Sequence, residues 1–254
     1  MKDTDAADWE DLARREPYFA VLTNEGLPGV AGNRVATAEF FETGEADIAA
    51  LIEAMASLLG RDIHPASTLD FGCGAGRLTL PLARISTRVT GCDIAPAILA
   101  HARQNIERAG MRNVTLLGNE ELNALPDGQF DFACSLLVFE HILPATGYAL
   151  IRTILRLLAP RGVAALHIPF ERRGGLRRHA RFMRGSSRRR PTVGMRHRVG
   201  GLPFLQRNEY DEGRLVRIIE ASGARLAGSF ATPHSETVSA VLIVEKRPDS
   251  AGTT

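Results

Sequence analysis

The chain changes rhythm near residue 66: helical spacing of apolar residues gives way to short apolar runs alternating with amphipathic segments. In the N-terminal part, "DWEDLARREPYFAVLT" sets Trp9, Leu12 and Ala13 on one face before meeting Pro17, and "NEGLPGVAGN" reads as a loop. "EADIAALIEAMASLLG" then spaces Ile48, Leu51, Ile52, Met55, Leu58 and Leu59 at helical intervals up to Gly60. Beyond it, "STLDF", "RVTGCDI", "NVTLLG", "FDFACSLLV" and "VAALHIPF" read as strands. Between them lie the helices "GRLTLPLARI", "PAILAHARQNIERAG" with Pro96 at its first position, and "TGYALIRTILRLLAPRG", closed by Pro160 and Gly162. After a basic stretch, "NEYDEGRLVRIIEASG" resumes as a helix, and "ARLAGSFAT" and "ETVSAVLIVEKR" pair antiparallel across a short "PHS" turn.

Strands alternating with helices of this length predict βαβ units and a parallel sheet covered on both faces. The expected fold is α/β: a Rossmann-like, doubly wound, mostly parallel seven-stranded sheet with an antiparallel last strand. Residues 1–62 are expected to form an N-terminal helical lid, 63–246 the main domain with an insertion at 171–207, and 247–254 a flexible tail.

Candidate chemistry starts at "STLDFGCGAGRLTLPLA", where Gly72, Gly74 and Gly76 follow an apolar run holding Asp70. Glycine at that density weakens strand and helix alike, so it marks a sharp turn or a backbone lying against a ligand. Ligands of open α/β sheets bind at such carboxyl ends of strands. Dinucleotide folds read G-x-G-x-x-G and hold a pyrophosphate on the helix N-terminus. Here the spacing is one residue tighter, and the Asp70 carboxylate suits an ammonium-bearing ligand. A ligand-free strand-to-helix turn is the alternative. Asp93 ends the second strand 17 residues past Gly76. It reads as acceptor for both hydroxyls of a ribose and as N-cap of the next helix, roles that are compatible.

These stretches resemble class I S-adenosylmethionine-dependent methyltransferases, in particular their ubiquinone/menaquinone-type small-molecule branch. "LDFGCGAGRLTLPLA" is similar to the family's first motif and "VTGCDIAPAILAHAR" to its second. "LLGNEELNALP" stands at the place of its adenine-binding loop, "FDFACSLLVFEHI" looks like its fourth strand, and Pro160-Arg161-Gly162 replaces a usual Pro-Gly-Gly turn. The resemblance implies S-adenosylmethionine as cofactor and S-adenosylhomocysteine as product. It implies that Asp70, with the loop backbone at Gly72, Cys73, Gly74 and Gly76, holds the methionine moiety, and that Asp93 binds the ribose with Ile94 packed on the adenine. Asn119 would accept from the adenine amino group in place of the usual aspartate, the Glu120 backbone would reach the ring nitrogen, Leu136 would face the methionine, and Tyr18 would contact the ligand from a lid.

Methyl transfer from a sulfonium is an in-line displacement, so alignment in a dry site supplies much of the catalysis. A base is needed only where the acceptor must lose a proton. His141 stands where the small-molecule branch often has histidine; it reads equally as a helix-start residue bonded to nearby backbone. Glu140 is the second catalytic candidate, against a capping or solvated carboxylate. His167 alternates with apolar neighbours as a core or pocket-wall residue, and His234 falls in a turn. Trp9, Tyr18 and Phe19 are lid candidates or anchors of the first helix, with Tyr18 the preferred ligand contact.

Length and composition bound the rest. The 254 residues, 44% apolar and 24% charged, suffice for one large α/β domain with embellishments. No apolar run reaches the roughly 18 residues of a membrane span, and the acidic start "MKDTDAADWEDLARREP" argues against a secretory signal. Cys73, Cys92 and Cys134 have no CxxC spacing, which points to free buried thiols in a reducing cytoplasm and not to a zinc site. Charge is uneven: the chain is +2 overall, yet residues 171–198 hold eleven arginines against one acid. In an insertion above the edge where acceptors enter, they favour a small anionic or glycan-like acceptor methylated on oxygen, nitrogen or carbon. A solvated charge run is the alternative. A second function is nucleic-acid methylation, weakened by Phe182 as the only aromatic inside the basic stretch and by the lack of Asp-Pro-Pro-Tyr and of Pro-Cys after the fourth strand. A third is a cofactor-binding protein without catalysis; a nicotinamide dehydrogenase fits the loop spacing worst.

Overall fold

In the computed structural model, residues 6–18, 34–170, 208–231 and 239–248 are described. Helices α1 (Ala6–Arg15) and α2 (Arg34–Leu59) precede β1 (Ser67–Phe71), α3 (Thr79–Ile85), β2 (Arg88–Asp93), α4 (Pro96–Arg108), β3 (Val114–Gly118) and the short α5 (Asn119–Leu122). Next come β4 (Phe130–Ser135), a 3-10 turn at Phe139–His141, α6 (Pro144–Leu157) and β5 (Leu158–Pro169). Helix α7 (Glu212–Ala221), β6 (Ala224–Ala231) and β7 (Ser239–Lys246) close the fold.

The strands form one seven-stranded sheet in the order β3-β2-β1-β4-β5-β7-β6. Strands β1 to β5 run parallel, and β7 lies between β5 and β6, antiparallel to both. This is the doubly wound sheet that the alternation predicts. Its middle strands are covered on both faces, which is why β1 is buried at every position. On one face, Ile151, Ile154 and Leu155 of α6 and Leu215 and Ile218 of α7 pack against Leu69, Ala164, Leu166 and Leu242. On the other, Ile48, Leu51 and Met55 of α2 and Leu82 of α3 meet Val89, Phe132, Cys134 and Ile243. Each of the Val, Leu, Ile, Met and Phe side chains among these contributes about 1.5–3 kcal/mol by leaving water. Strand order runs one way from β1 through β3 and the other way from β4, so a crevice opens at the carboxyl ends of β1 and β4.

Boundaries differ from the sequence reading: β4 ends at Ser135 and not at Val138, and three further differences have a visible cause. Helix α2 starts at Arg34, well before Glu45, because Gly44 is used inside the helix: it is buried where an added Cβ would come within 2.2 Å of the Arg77 carbonyl oxygen. Helix α3 begins only at Thr79, since the chain is still turning through Leu78. Pro160-Arg161-Gly162 does not follow a longer helix but bulges at the start of β5, between Leu158 paired with Phe130 and Val163 paired with Phe132. The "PHS" turn, the 171–207 insertion and the tail from residue 249 lie outside the described residues.

Candidate functional site

The glycine loop leaves β1 tied to its neighbour: the Gly72 and Cys73 N–H groups both donate to the Cys92 carbonyl, at 2.7 and 3.0 Å. Gly72, Gly74 and Gly76 have φ of 75°, 53° and 91°, a region open to glycine and strained for other residues. At Gly72 space matters too, since a Cβ would lie 2.3 Å from Val138 Cγ2. The crowded glycines thus serve the turn and the close approach of this loop to the one after β4. Beneath it, Asp70 is buried and accepts a hydrogen bond from the Thr79 hydroxyl at 2.6 Å. Burial raises its pKa to about 6, against the pull of the Thr79 bond and the Arg77 charge.

Asp93 closes β2. Its Oδ2 accepts the Gly74 N–H at 3.0 Å and its Oδ1 the Ala95 N–H at 3.1 Å, so one carboxylate braces the glycine loop and the start of α4. The cap position of α4 itself is Ala95. Burial pushes the Asp93 carboxyl above its ordinary range, and the amide donors pull it back. Ile94 beside it is 45% exposed, which leaves an aliphatic face open at the strand end. Asn119 opens α5, whose first turn is set by the Gly118 N–H donating to Glu121 Oε2 at 2.8 Å. The Cys92 thiol donates to Asn119 Oδ1 at 3.1 Å.

After β4 the chain turns sharply at Leu137, whose φ of 63° is strained for a leucine, and the Leu137 N–H donates to His167 Nδ1 at 3.3 Å. The 3-10 turn then presents His141, nearly buried, with Nε2 3.5 Å from Glu140 Oε1 and its ring edge-on to Trp9 at 5.2 Å. Asn208 holds this turn from across the fold, donating its backbone N–H to the Glu140 carbonyl at 2.6 Å and its Nδ2 to the same oxygen at 3.3 Å. Helix α1 is fixed by Glu10, whose Oε2 accepts the Ala97 N–H at 2.8 Å in the first turn of α4. That bond holds the Glu10 carboxyl below its ordinary range.

These elements enclose a cavity of 380 Å³, within the roughly 300–1,000 Å³ usual for sites that bury a small ligand. Gly72, Gly74, Asp93, Ile94, Asn119 and Leu136 line it from the strand ends; Ala6, Trp9 and Ala13 line it from α1. His141, Ile142, Leu143, Thr146, Leu150 and Asn208 complete the wall. Among the described lining residues none is lysine or arginine.

Of the residues singled out from sequence, Gly72, Gly74, Asp93, Ile94, Asn119, Leu136 and His141 come together here, whereas Asp70, Cys73, Gly76, Glu120 and Glu140 do not line the cavity. Tyr18 does not reach it: its hydroxyl donates to Asn105 Oδ1 at 3.4 Å and its ring packs edge-on against Phe40 and Phe41. Trp9 takes the wall position instead, signalled by its place one turn before Ala13 on the apolar face of α1. His167 is buried in β5. Thr146 and Leu150 were missed, although their four-residue spacing on one helix was visible. Asn208 had no local signal, because it reaches the wall across a long insertion. Phe19, the arginine segment and His234 lie outside the described residues.

Residues 69–166 match the family model described as a methyltransferase domain. The chain is 35% identical over 102 residues to a ubiquinone biosynthesis O-methyltransferase of Xanthomonas oryzae, covering 40% of this chain and 42% of that one. It therefore spans less than half the length of the curated relatives it matches. The magnesium protoporphyrin IX methyltransferase of Synechocystis PCC 6803, with S-adenosylhomocysteine bound, is similar at a TM-score of 0.61 and 19% identity, over 95% of this chain and 100% of that one. Phosphoethanolamine N-methyltransferase 1 of Haemonchus contortus, in complex with phosphoethanolamine and S-adenosylhomocysteine, is similar at a TM-score of 0.65 and 13% identity, over 99% and 51%. At these identities the structural likeness is one of fold.

Proposed function

We propose that the chain, whose residues 69–166 match a methyltransferase domain, carries a methyl group from S-adenosylmethionine to an oxygen of a small acceptor held against His141. One cavity carries both halves of this reading: Gly72, Gly74, Asp93, Ile94 and Asn119 meet His141 and Trp9 on a single wall.

The residues present fit the cofactor. The Asp93 carboxylate, after accepting two amide N–H groups, keeps lone pairs for a ribose diol. Exposed Ile94 offers an apolar face to a base, and Asn119 a polar group to its edge. Buried Asp70 and half-buried Asp93, both with carboxyls pushed up by desolvation, favour a cation nearby, as a sulfonium with an ammonium group requires. When bound, the sulfonium supplies an electrophilic methyl group.

The remaining work falls to the chain. Trp9, Ile142, Leu143 and Leu150 exclude water and hold the acceptor in line. His141 takes the hydroxyl proton as the acceptor oxygen becomes nucleophilic, and the Glu140 carboxylate at 3.5 Å stabilises the imidazolium. The printed activity of the Xanthomonas relative supports oxygen as the methylated atom. The eleven arginines between residues 171 and 198 support an acceptor with an anionic group beside its apolar body. Three buried free thiols support a reducing, cytoplasmic setting. Among the described residues no helix is long and apolar enough to cross a membrane.

The test is transfer of labelled methyl from S-adenosylmethionine to a panel of catechols and hydroxybenzoates. Label on oxygen is expected, with His141→Gln lowering kcat at least about 100-fold while affinity for S-adenosylhomocysteine is retained. Transfer that survives this substitution removes His141 as the base.

A further inference from the structure

The carbonyls on either side of His141 are both held from one short segment, residues 208–211, that enters the site from far along the chain. The Asn208 N–H donates to the Glu140 carbonyl at 2.6 Å, and the Tyr210 hydroxyl donates to the Ile142 carbonyl at 2.9 Å. Within the turn, the His141 N–H reaches the Val138 carbonyl at 3.0 Å and the Ile142 N–H the Phe139 carbonyl at 3.2 Å. A single 3-10 turn is weakly bonded internally and takes its direction from what holds it. The holding segment is itself anchored. The Tyr210 N–H donates to the Pro169 carbonyl at the end of β5, and the Asp211 N–H to the Tyr148 hydroxyl of α6, both at 2.9 Å. The Tyr210 ring is fully buried, edge-on to Phe139 of the turn at 6.1 Å and to Tyr148 at 5.4 Å. Phe139 in turn stacks on Phe71, where the glycine loop leaves β1. Burial pushes the Tyr210 phenol up, so it stays a donor.

We infer that Tyr210 is the positioning residue of the base: its hydroxyl, together with the Asn208 N–H, pins the backbone on both sides of His141 and so aims the imidazole at the acceptor hydroxyl. This rests on the reading of His141 as base given above. Proton transfer requires the base within hydrogen-bond reach of the proton it takes, and a misplacement of about 1 Å costs on the order of a hundredfold in rate. Tyr210 touches neither end of that transfer, since it does not line the cavity. It acts through the turn.

Tyr210→Phe removes the one hydroxyl and keeps the ring packing, and two acceptors isolate its effect. At mildly alkaline pH catechol keeps its hydroxyl protons and needs a base, whereas nitrocatechol has already lost one and needs none. In Tyr210→Phe, kcat for catechol is expected to fall about ten- to a hundredfold. For nitrocatechol it should stay within about twofold of wild type, with Kd for S-adenosylhomocysteine unchanged. His141→Gln should show the same preference, and the double variant should lose no more than His141→Gln alone. A second readout needs neither cofactor nor turnover. The ring of Trp9, the chain's one tryptophan, lies 5.2 Å from that of His141, and a protonated imidazole quenches an indole it touches. Emission of the free wild type is expected to drop as His141 takes up its proton, to lose that step in His141→Gln, and to show a smaller step in Tyr210→Phe. Melting curves keep both assays below the unfolding range of each variant. Wild-type turnover of catechol by Tyr210→Phe, equal loss on both acceptors, or a quenching step of unchanged size overturns the inference alone. A double variant slower than His141→Gln overturns it too, because Tyr210 then acts apart from the base. Wild-type turnover of catechol by His141→Gln overturns the base reading and the inference with it.

Discussion

Gly44→Ala sets helix propensity against packing at a single atom. Gly44 lies inside the 26-residue α2, where in an exposed helix alanine is more stable than glycine by about 1 kcal/mol. Here the missing side chain faces main chain directly after the glycine loop: a Cβ would stand 2.2 Å from the Arg77 oxygen and 2.9 Å from its carbonyl carbon. Ordinary contact begins near 3.4 Å, so α2 and the loop would have to part by about 1 Å. The surface they share includes the Arg77 guanidinium, 2% exposed, which pairs with Asp47 at 2.6 Å and donates to Thr43 at 3.3 Å. Overpacking costs roughly 1–3 kcal/mol, and stretching a buried ion pair adds to that. After the propensity gain is set against these, the variant is expected to lose about 2 kcal/mol. In a chain of this size that lowers Tm by roughly 4–8 °C. Urea unfolding followed by circular dichroism measures the first figure and scanning calorimetry the second. An unchanged or raised midpoint would refute the reasoning and mean that α2 is not seated on Arg77.

Asp70→Asn should stabilise the free protein at pH 7 and leave it unchanged near pH 4. The carboxyl titrates about pH 6 when folded against an ordinary 3.8; between these values the folded state binds more protons, so stability falls as pH rises through that window. The gain is at most about 3 kcal/mol, read from urea midpoints at the two pH values, and equal midpoints for variant and wild type at pH 7 would contradict it. Gly147→Ala places a Cβ 2.0 Å from the hydroxyl of buried Tyr210, which donates to the Ile142 carbonyl at 2.9 Å. It should therefore lower stability by about 2 kcal/mol and raise the acceptor KM while sparing affinity for S-adenosylhomocysteine; steady-state kinetics and calorimetry separate the two effects.

What could be read from sequence was what local pattern determines. The apolar runs of β1 and β5 are buried on both faces, so they are legible without knowing their neighbours. Gly72, Asp93, Asn119 and Leu136 each follow or end a strand, and a parallel sheet gathers such positions at one edge. The parts not read depend on contacts distant in sequence. Gly44 looks the same whether it ends a helix or lets one approach Arg77. The choice between Trp9 and Tyr18 depends on how α1 crosses α4, which the bond between Glu10 and Ala97 sets across 87 residues. Asn208 is tied to Glu140 across 68 residues. At Pro160-Arg161-Gly162 the turn was visible, but its absorption into β5 follows from pairing with β4 and not from the turn itself.

Isothermal titration of S-adenosylhomocysteine into the wild-type protein and into Asp93→Ala bears most directly on the cavity as the site of the cofactor's nucleoside. One molecule should bind per wild-type chain. The variant should bind more than about tenfold more weakly, because a carboxylate's charge-assisted bonds to a diol are lost. No heat from the wild type, or equal affinity in the variant, would contradict the assignment.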